Sequence, residues 1–211
     1  EEATCRVIDS LVRLREGEFQ TSGAGTYRYG SFTEARELAV NVLSGSNARQ
    51  CRNDLYKYFL EALRLQPQGE VLLRRCAREG SRIADSRPIA AGAPVFVAHG
   101  WAMREVPEPD AFILDRAREN YLQYGWGRHT CLGQYVSPVI IVESMMALLG
   151  LQDLSRPEPR PGEPAFPFER RFGRLQLDDQ NLYATTFSLQ FADSGTTQLF
   201  WPPSAGSVEV M

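Results

Sequence analysis

The chain has 211 residues, of which 43% are hydrophobic and 23% charged, and its formal net charge is −3. This composition is typical of a globular protein with a buried core, and its mild acidity gives no reason to expect nucleic acid as a partner. Four scattered cysteines without a CxxC pair, together with two histidines, argue against a disulfide framework and a zinc site. A reducing, cytoplasmic location is therefore the default expectation.

The first fifth of the chain predicts two helices and a loop. Residues 1–14 form an amphipathic pattern that begins at full periodicity without a cap, so we expect this helix to have been cut from something longer. A loop rich in Gly and Ser follows over 16–31. A second helix is expected over 33–43, with Ser31 or Thr33 as its cap.

The strongest helix prediction is Asp54–Leu65. Asp54 is the expected N-cap, and Pro67 is expected to end the helix. Its apolar positions recur at helical spacing and predict a buried stripe, consisting of Leu55, Phe59, Leu60 and Leu63.

Beyond this helix the pattern changes to short strands. We expect strands over 71–79, 81–86 and 94–97, then a loop over 110–130 and a long helix from Cys131 to about Leu149. Pro138 is expected to kink that helix.

The last part of the chain begins with a proline-rich stretch, and polar and apolar residues alternate in the stretch after it. Residues 152–170 predict an extended connector, and the tail over 171–201 predicts a hairpin of strands 175–177 and 187–191 around Asp193-Ser194-Gly195. Helical positions outnumber strand positions, so the predicted fold class is mainly α with small β-sheets (α+β).

The segment Tyr124–Gly133 (YGWGRHTCLG) carries the strongest chemical signal. A cysteine flanked by glycines and opening an apolar helix lets the backbone approach a flat ligand, and helix amides near the sulfur favour the thiolate. A thiolate is a soft, strongly donating metal ligand. For an isolated Gly-x-x-x-Cys, a buried free cysteine at a strand–helix turn is the better interpretation.

The full string changes that balance, because it resembles the haem-binding loop of the cytochromes P450, F-x-x-G-x-[HR]-x-C-x-G. Tyr124 stands at the aromatic position, and the matching positions are Gly127, His129, Cys131 and Gly133.

A second match lies upstream. Glu61 and Arg64 form the E-x-x-R of the family's K helix, and a spacing of three residues puts both side chains on one helix face. By itself such a pair is commonly a solvated surface ion pair of little worth. In the family a later arginine joins the pair; Arg116 is the best candidate here, and Arg118 is the second.

Further ordered matches surround these. Arg75, in RCARE, resembles the strand arginine that meets a haem propionate, and Thr4 lies one residue from the expected position of the family's oxygen-activating threonine. Other stretches resemble the family's "I-P-A-G-T-x-V", "N-R-D" and "P-D-x-F" elements, namely 88–95, 102–105 and 109–112.

The resemblance implies the C-terminal portion of a P450-like fold. It implies haem b as cofactor, Cys131 as axial iron ligand, His129 and Arg75 at the propionates, and Trp126 beside the ring; Gly127 and Gly133 allow close approach. Thr4 is the implied catalytic alcohol. We expect one partial domain over 1–211, divided into an I-helix end and connecting segment (1–50), a K-helix-to-L-helix part (51–150) and a C-terminal connector and hairpin (151–211).

The implied function is that of a haem-thiolate oxidoreductase acting on an apolar substrate, either a monooxygenase or a fatty-acid hydroperoxide isomerase or peroxygenase. The phrases QYGWGRHTCLG and LEALRLQPQG are most similar to P450s linked with haem peroxidase-like domains. A separate or preceding N-terminal half, or a peroxidase-like domain, is thus an expected partner. The alternative is a non-catalytic haem-binding or interaction module derived from a truncated P450.

Overall fold

The computed structural model describes residues 2–155, 169–171, 174–176, 187–192 and 207–210. The helices and strands of this part are α1 (Glu2–Arg15), α2 (Phe32–Leu43), α3 (Ala48–Leu65), β1 (Leu72–Arg75), β2 (Pro94–Val97), α4 (His99–Ala102), α5 (Ser137–Leu149), β3 (Gln152–Ser155), β4 (Glu169–Arg171), β5 (Arg174–Gln176), β6 (Phe187–Ala192) and β7 (Ser207–Val210). The predicted fold class, mainly α with small sheets, is confirmed.

The core lies between α1, α2, α3 and α5. Each of α1 and α2 packs against both α3 and α5. The apolar stripes at helical spacing meet there, and the side chains at the centre have no exposed area: Val7, Leu11, Leu55, Phe59, Met145 and Leu149. The predicted stripe of α3 is buried as expected. No helix in the described part of the chain is both long enough and apolar enough to cross a membrane.

The start of α3 differs from the prediction. The helix begins at Ala48, so Asp54 is an interior residue and not the N-cap. Its buried carboxylate accepts hydrogen bonds from Lys57 Nζ (2.7 Å) and Gln50 Nε2 (3.0 Å). Asp54 therefore pairs with side chains three and four residues away on the same helix, and does not cap the helix start. At α2 the cap is Ser31, whose Oγ accepts from the backbone N–H of Glu34.

The strands of the described part form three small antiparallel sheets. β1 pairs with β2 in the register Leu72↔Val97, β6 lies between β3 and β7, and β4 pairs with β5. The predicted strand over 81–86 is wrong: only an isolated bridge joins Ser81 to Ile89. The predicted pairing of 175–177 with 187–191 is also wrong, because β5 pairs with β4. Alternating residues show that a segment is a strand without selecting its partner. Asp193-Ser194-Gly195 and residues 156–168 lie outside the described residues.

The helix after Cys131 starts later than predicted. A 3₁₀ turn over Leu132–Tyr135 separates Cys131 from α5, which begins at Ser137. Pro138 therefore lies in the first turn of α5, and the expected kink is wrong. The N–H groups of a first turn have no intrahelical acceptor, so proline costs nothing there and its fixed φ suits the helix start.

Candidate functional site

Cys131 lies in a tightly hydrogen-bonded loop. Its backbone N–H donates to the carbonyl of Tyr124 (2.7 Å), and its own carbonyl accepts from the N–H of Gln134 (3.1 Å). Gly125 and Gly127 adopt left-handed conformations (φ 72° and 68°), which glycine tolerates without strain. The backbone of Cys131 is thus fixed at both ends, while its thiol is exposed.

Gly133 leaves room beside the sulfur. A Cβ at this position would lie 3.4 Å from Cys131 Sγ and 3.0 Å from Ser137 Oγ. Any larger residue would crowd both atoms, so the glycine keeps the approach to the thiol open.

The residues next to Cys131 present apolar side chains to the surface. Trp126 is 74% exposed, Leu132 93% and Tyr135 78%. Exposed hydrophobic residues continue along the start and outer face of α5, where they are Val136, Val139 and Ile140. Large apolar side chains clustered in this way indicate a surface that a ligand or another segment covers.

Tyr124, the first residue of the loop, packs against Phe59, with ring centroids 6.4 Å apart. Its hydroxyl is buried and has no partner in hydrogen-bond geometry within the described structure, although Ser137 lies close to it. Burial raises the pKa of this tyrosine, and the nearby Tyr56 and Cys131 add to the effect. The apolar contacts of the Tyr124 ring therefore leave its hydroxyl group without a hydrogen bond in the described part of the chain.

Glu61 is at the centre of a buried charged cluster. Its Oε2 accepts from Arg64 Nε (2.9 Å), and its Oε1 accepts from Arg64 Nη2 (2.8 Å) and Arg116 Nε (3.1 Å). The side chains of Glu61 and Arg64 have no exposed area, and that of Arg116 is 3% exposed. The surface-pair interpretation of E-x-x-R therefore does not apply here.

Two more groups donate to the same carboxylate. The backbone N–H of Ile113 bonds Oε1 (3.0 Å), and the Tyr121 hydroxyl bonds Oε2 (3.2 Å). Burial, followed by the charge of Glu61, raises the pKa of Tyr121 and keeps it a hydrogen-bond donor. Sequence reasoning missed Tyr121, since an aromatic residue in a loop gives no signal of a buried acceptor.

The arginines use their remaining N–H groups on backbone carbonyls. Arg64 donates to Met103, Pro109 and Ala111, while Arg116 donates to Pro107 and Glu108. Arg118, the second candidate, lies apart from the cluster and bonds the hydroxyl of Tyr56 (3.2 Å). The cluster thus holds the segment 103–116 against α3 through hydrogen bonds.

Of the other predicted site residues, His129 lies in the loop itself, Arg75 in β1 and Thr4 in α1. Arg75 is exposed and donates to the carbonyl of Gly92 (3.2 Å), His129 is exposed, and Thr4 is buried in α1. In the described part of the chain, no hydrogen bond or ion pair joins any of the three to Cys131.

These observations fit a large, flat prosthetic group with acidic edges. The structure has an exposed thiol in a fixed loop and no side chain at Gly133 beside it. Exposed apolar side chains precede and follow Cys131 in the sequence. Arg75 and His129 are exposed cationic or hydrogen-bonding groups suited to carboxylates. Haem has this shape and this chemistry.

Comparison with known proteins gives relatives of one kind. The chain is 36% identical over 109 residues to a cytochrome P450 monooxygenase of Aspergillus calidoustus, covering 42% of this chain and 20% of that protein. It is 32% identical over 140 residues to biflaviolin synthase of Streptomyces coelicolor, covering 63% and 32%. It is 36% identical over 76 residues to linoleate diol synthase of Gaeumannomyces graminis, covering 34% and 6%. No model of a protein family matches the chain.

The fold comparison agrees. A cytochrome P450 from Chondromyces apiculatus superposes with a TM-score of 0.53 at 18% identity, covering 84% of this chain and 39% of that one. The chain spans between a fifth and a third of the length of the first two relatives. The predicted resemblance is confirmed, and haem b, which P450s bind through a thiolate, is confirmed as the cofactor of these relatives.

Proposed function

We propose, on the premise that this chain is part of a cytochrome P450-type protein, that it binds haem b with Cys131 as the axial thiolate ligand. The observation that carries the proposal is the loop itself: Cys131 is held by its own backbone N–H and carbonyl, and its thiol is exposed among apolar side chains. A haem held by a thiolate supplies the chemistry of O–O bond cleavage.

The site residues have separate roles in this proposal. The Tyr124 carbonyl fixes the backbone of Cys131, Gly133 keeps the space beside the sulfur, and Trp126 and Leu132 would supply apolar contacts to the ring. His129 and Arg75 would bind the propionates as hydrogen-bond donors. The Glu61–Arg64–Arg116 cluster positions the segment that leads into the loop.

The activity we propose is oxidoreduction of an apolar substrate. The relatives named as monooxygenases support oxygen insertion. Linoleate diol synthase and a bifunctional dioxygenase–epoxy alcohol synthase are matched as well, which supports a fatty-acid-derived substrate and conversion of its hydroperoxide. Thr4 is the proposed catalytic alcohol in the first case.

A further part of a P450 completes the site in this proposal, either as a preceding half or as a separate chain. The supporting observation is apolar surface on two elements. Leu73 and Phe96 of the β1–β2 sheet are 58% and 68% exposed, and Ile140 of α5 is 58% exposed. The chain also spans only a fifth to a third of the first two relatives.

The test is the carbon monoxide difference spectrum of the reduced, haem-loaded chain, recorded alone and with the preceding half. We expect a thiolate-type Soret band that Cys131→Ala abolishes and the matched Cys76→Ala variant retains. Absence of the band in both samples overturns the haem proposal. A band without turnover of either a monooxygenase substrate or linoleate hydroperoxide favours the alternative, a non-catalytic haem-binding module.

A further inference from the structure

The connector between α1 and α2 (residues 16–31) crosses the segment 107–116 that carries Arg116. Three backbone hydrogen bonds join them: Phe112 N–H to Gln20 O (2.9 Å), Gly30 N–H to Phe112 O (2.9 Å), and Leu114 N–H to Arg28 O (2.8 Å). The connector is thus paired along the segment instead of lying free in solvent.

The carboxylate of Glu108 is held by this connector. Oε2 accepts from the Tyr29 hydroxyl (2.7 Å), and Oε1 accepts from the backbone N–H of Gly25 (3.2 Å). A Cβ on Gly23 would lie 2.0 Å from Oε2, so a side chain there would displace the carboxylate from this position. The hydrogen bond to Glu108 raises the pKa of Tyr29 to about 12.

The backbone of Glu108 faces the buried cluster. Its φ is 49°, a left-handed conformation that residues with a Cβ rarely adopt. In this turn the carbonyl of Glu108 accepts from Arg116 Nη2 (2.7 Å), and that of Pro107 accepts from Arg116 Nη1 (2.8 Å). A strained residue is therefore bonded to the connector through its side chain and to Arg116 through its backbone.

We propose that Glu108 is a positioning residue for the haem loop, acting through Arg116, and that Gly23, Gly25 and Tyr29 form the binding site for its carboxylate. The carboxylate holds the left-handed turn, the turn presents two carbonyls to Arg116, and Arg116 bonds Glu61. Glu61 in turn holds Ile113 and Tyr121, on the path to Cys131. The part concerning the haem loop rests on the proposed function.

The test uses three variants of the chain. Glu108→Gly removes the carboxylate and introduces a residue that tolerates the left-handed turn. Glu108→Gln keeps one acceptor oxygen, and Tyr29→Phe removes one donor. Glu105→Gly is the matched control, because Glu105 is an exposed acid in the same stretch.

The first measurement is amide hydrogen exchange of the apo-protein. Loss of hydrogen bonds to a charged group is expected to speed exchange in peptides over 107–121 roughly ten-fold or more in Glu108→Gly. Glu108→Gln and Tyr29→Phe are expected to give smaller increases, and Glu105→Gly none. Wild-type exchange in Glu108→Gly, or acceleration spread evenly over the whole described chain, would overturn the proposal.

The second measurement is the fraction of haem in the thiolate-ligated form, from the Soret band of the reduced carbon monoxide complex. We expect a lower fraction in Glu108→Gly and partial recovery in Glu108→Gln. An unchanged fraction despite faster exchange overturns the link to the haem loop. If the wild-type chain gives no thiolate band either alone or with the preceding half, the proposed function fails, and the exchange result still decides whether Glu108 positions Arg116.

Discussion

Arg116 Nε donates to Glu61 Oε1 over 3.1 Å, across 55 positions of sequence and with both side chains buried. Glu61 also accepts from Arg64, so one carboxylate lies between two guanidinium groups. The remaining N–H groups of both arginines bond backbone carbonyls, which is the condition under which buried charges are tolerated. The pairing joins α3 to the segment that leads to Cys131.

Removing the shared acid is expected to be strongly destabilising. Glu61→Gln leaves two buried guanidinium groups without a counter-charge, and we expect a loss of about 3–5 kcal/mol in the free energy of unfolding, measured by urea denaturation. Asp110→Asn is the control, since the Arg104–Asp110 pair is exposed; its loss is expected to be at most about 1 kcal/mol. Equal effects of the two variants would contradict the central role of Glu61.

The two arginine candidates are expected to differ when each is changed to lysine. Arg116 bonds Glu61 and the carbonyls of Pro107 and Glu108 through a planar fork that an ammonium cannot reproduce. Within the described residues, the side chain of Arg118 makes one hydrogen bond, to the Tyr56 hydroxyl. We expect Arg116→Lys to cost about 2–3 kcal/mol in unfolding free energy, and Arg118→Lys about 0.5 kcal/mol or less. A larger effect at Arg118 would reverse this assignment.

Pro138 is expected to be neutral. It lies in the first turn of α5, where no intrahelical bond is lost, so Pro138→Ala should change the unfolding free energy by less than about 0.5 kcal/mol. Ser144→Pro, in the interior of the same helix, should cost about 3 kcal/mol or more. Circular dichroism during thermal unfolding distinguishes the two. A large effect of Pro138→Ala would indicate a constraint on the Cys131 loop.

Acid is expected to weaken the chain partly through Asp54. Burial opposes ionisation there, but hydrogen bonds from Lys57 and Gln50 and the charges of Lys57 and Arg28 outweigh it, so the pKa of Asp54 is lowered. A lowered folded-state pKa stabilises the fold above the unfolded value, about 3.9, and this contribution is lost as the pH falls through the folded value.

The measurement is the unfolding free energy as a function of pH. Asp54→Asn should lower stability at neutral pH and show a smaller loss on acidification than the wild type. Asp110→Asn, which is exposed, serves as the control. A wild-type pH profile in Asp54→Asn would contradict the assignment.

Haem is expected to stabilise the chain through binding linkage. At about 100 times its Kd, a ligand that binds only the folded state adds about 2.7 kcal/mol. Added haem should therefore raise the melting temperature of the wild-type chain more than that of Cys131→Ala. Equal shifts would indicate haem adsorbed on apolar surface without thiolate ligation.

Local rules predicted a good part of the fold. The buried stripe Leu55, Phe59, Leu60 and Leu63 follows from helical spacing, and Ser31 was among the expected caps of α2. Those rules did not predict the start of α3, because an acidic residue inside a helix resembles an N-cap in the sequence. They did not predict the partner of β5 either, because an alternating strand can pair with any strand of the same pattern.

The sequence by itself identified the residues proposed for the site, because the loop Tyr124–Gly133 and the Glu61–Arg64 pair are made of residues close together in the chain, whose spacing can be read locally. Tertiary structure alone decided which arginine meets Glu61, that Tyr121 donates to the same carboxylate, and that Glu108 is held by the connector. These contacts join residues far apart in the chain, and their existence depends on how the helices and loops pack, which no local pattern encodes.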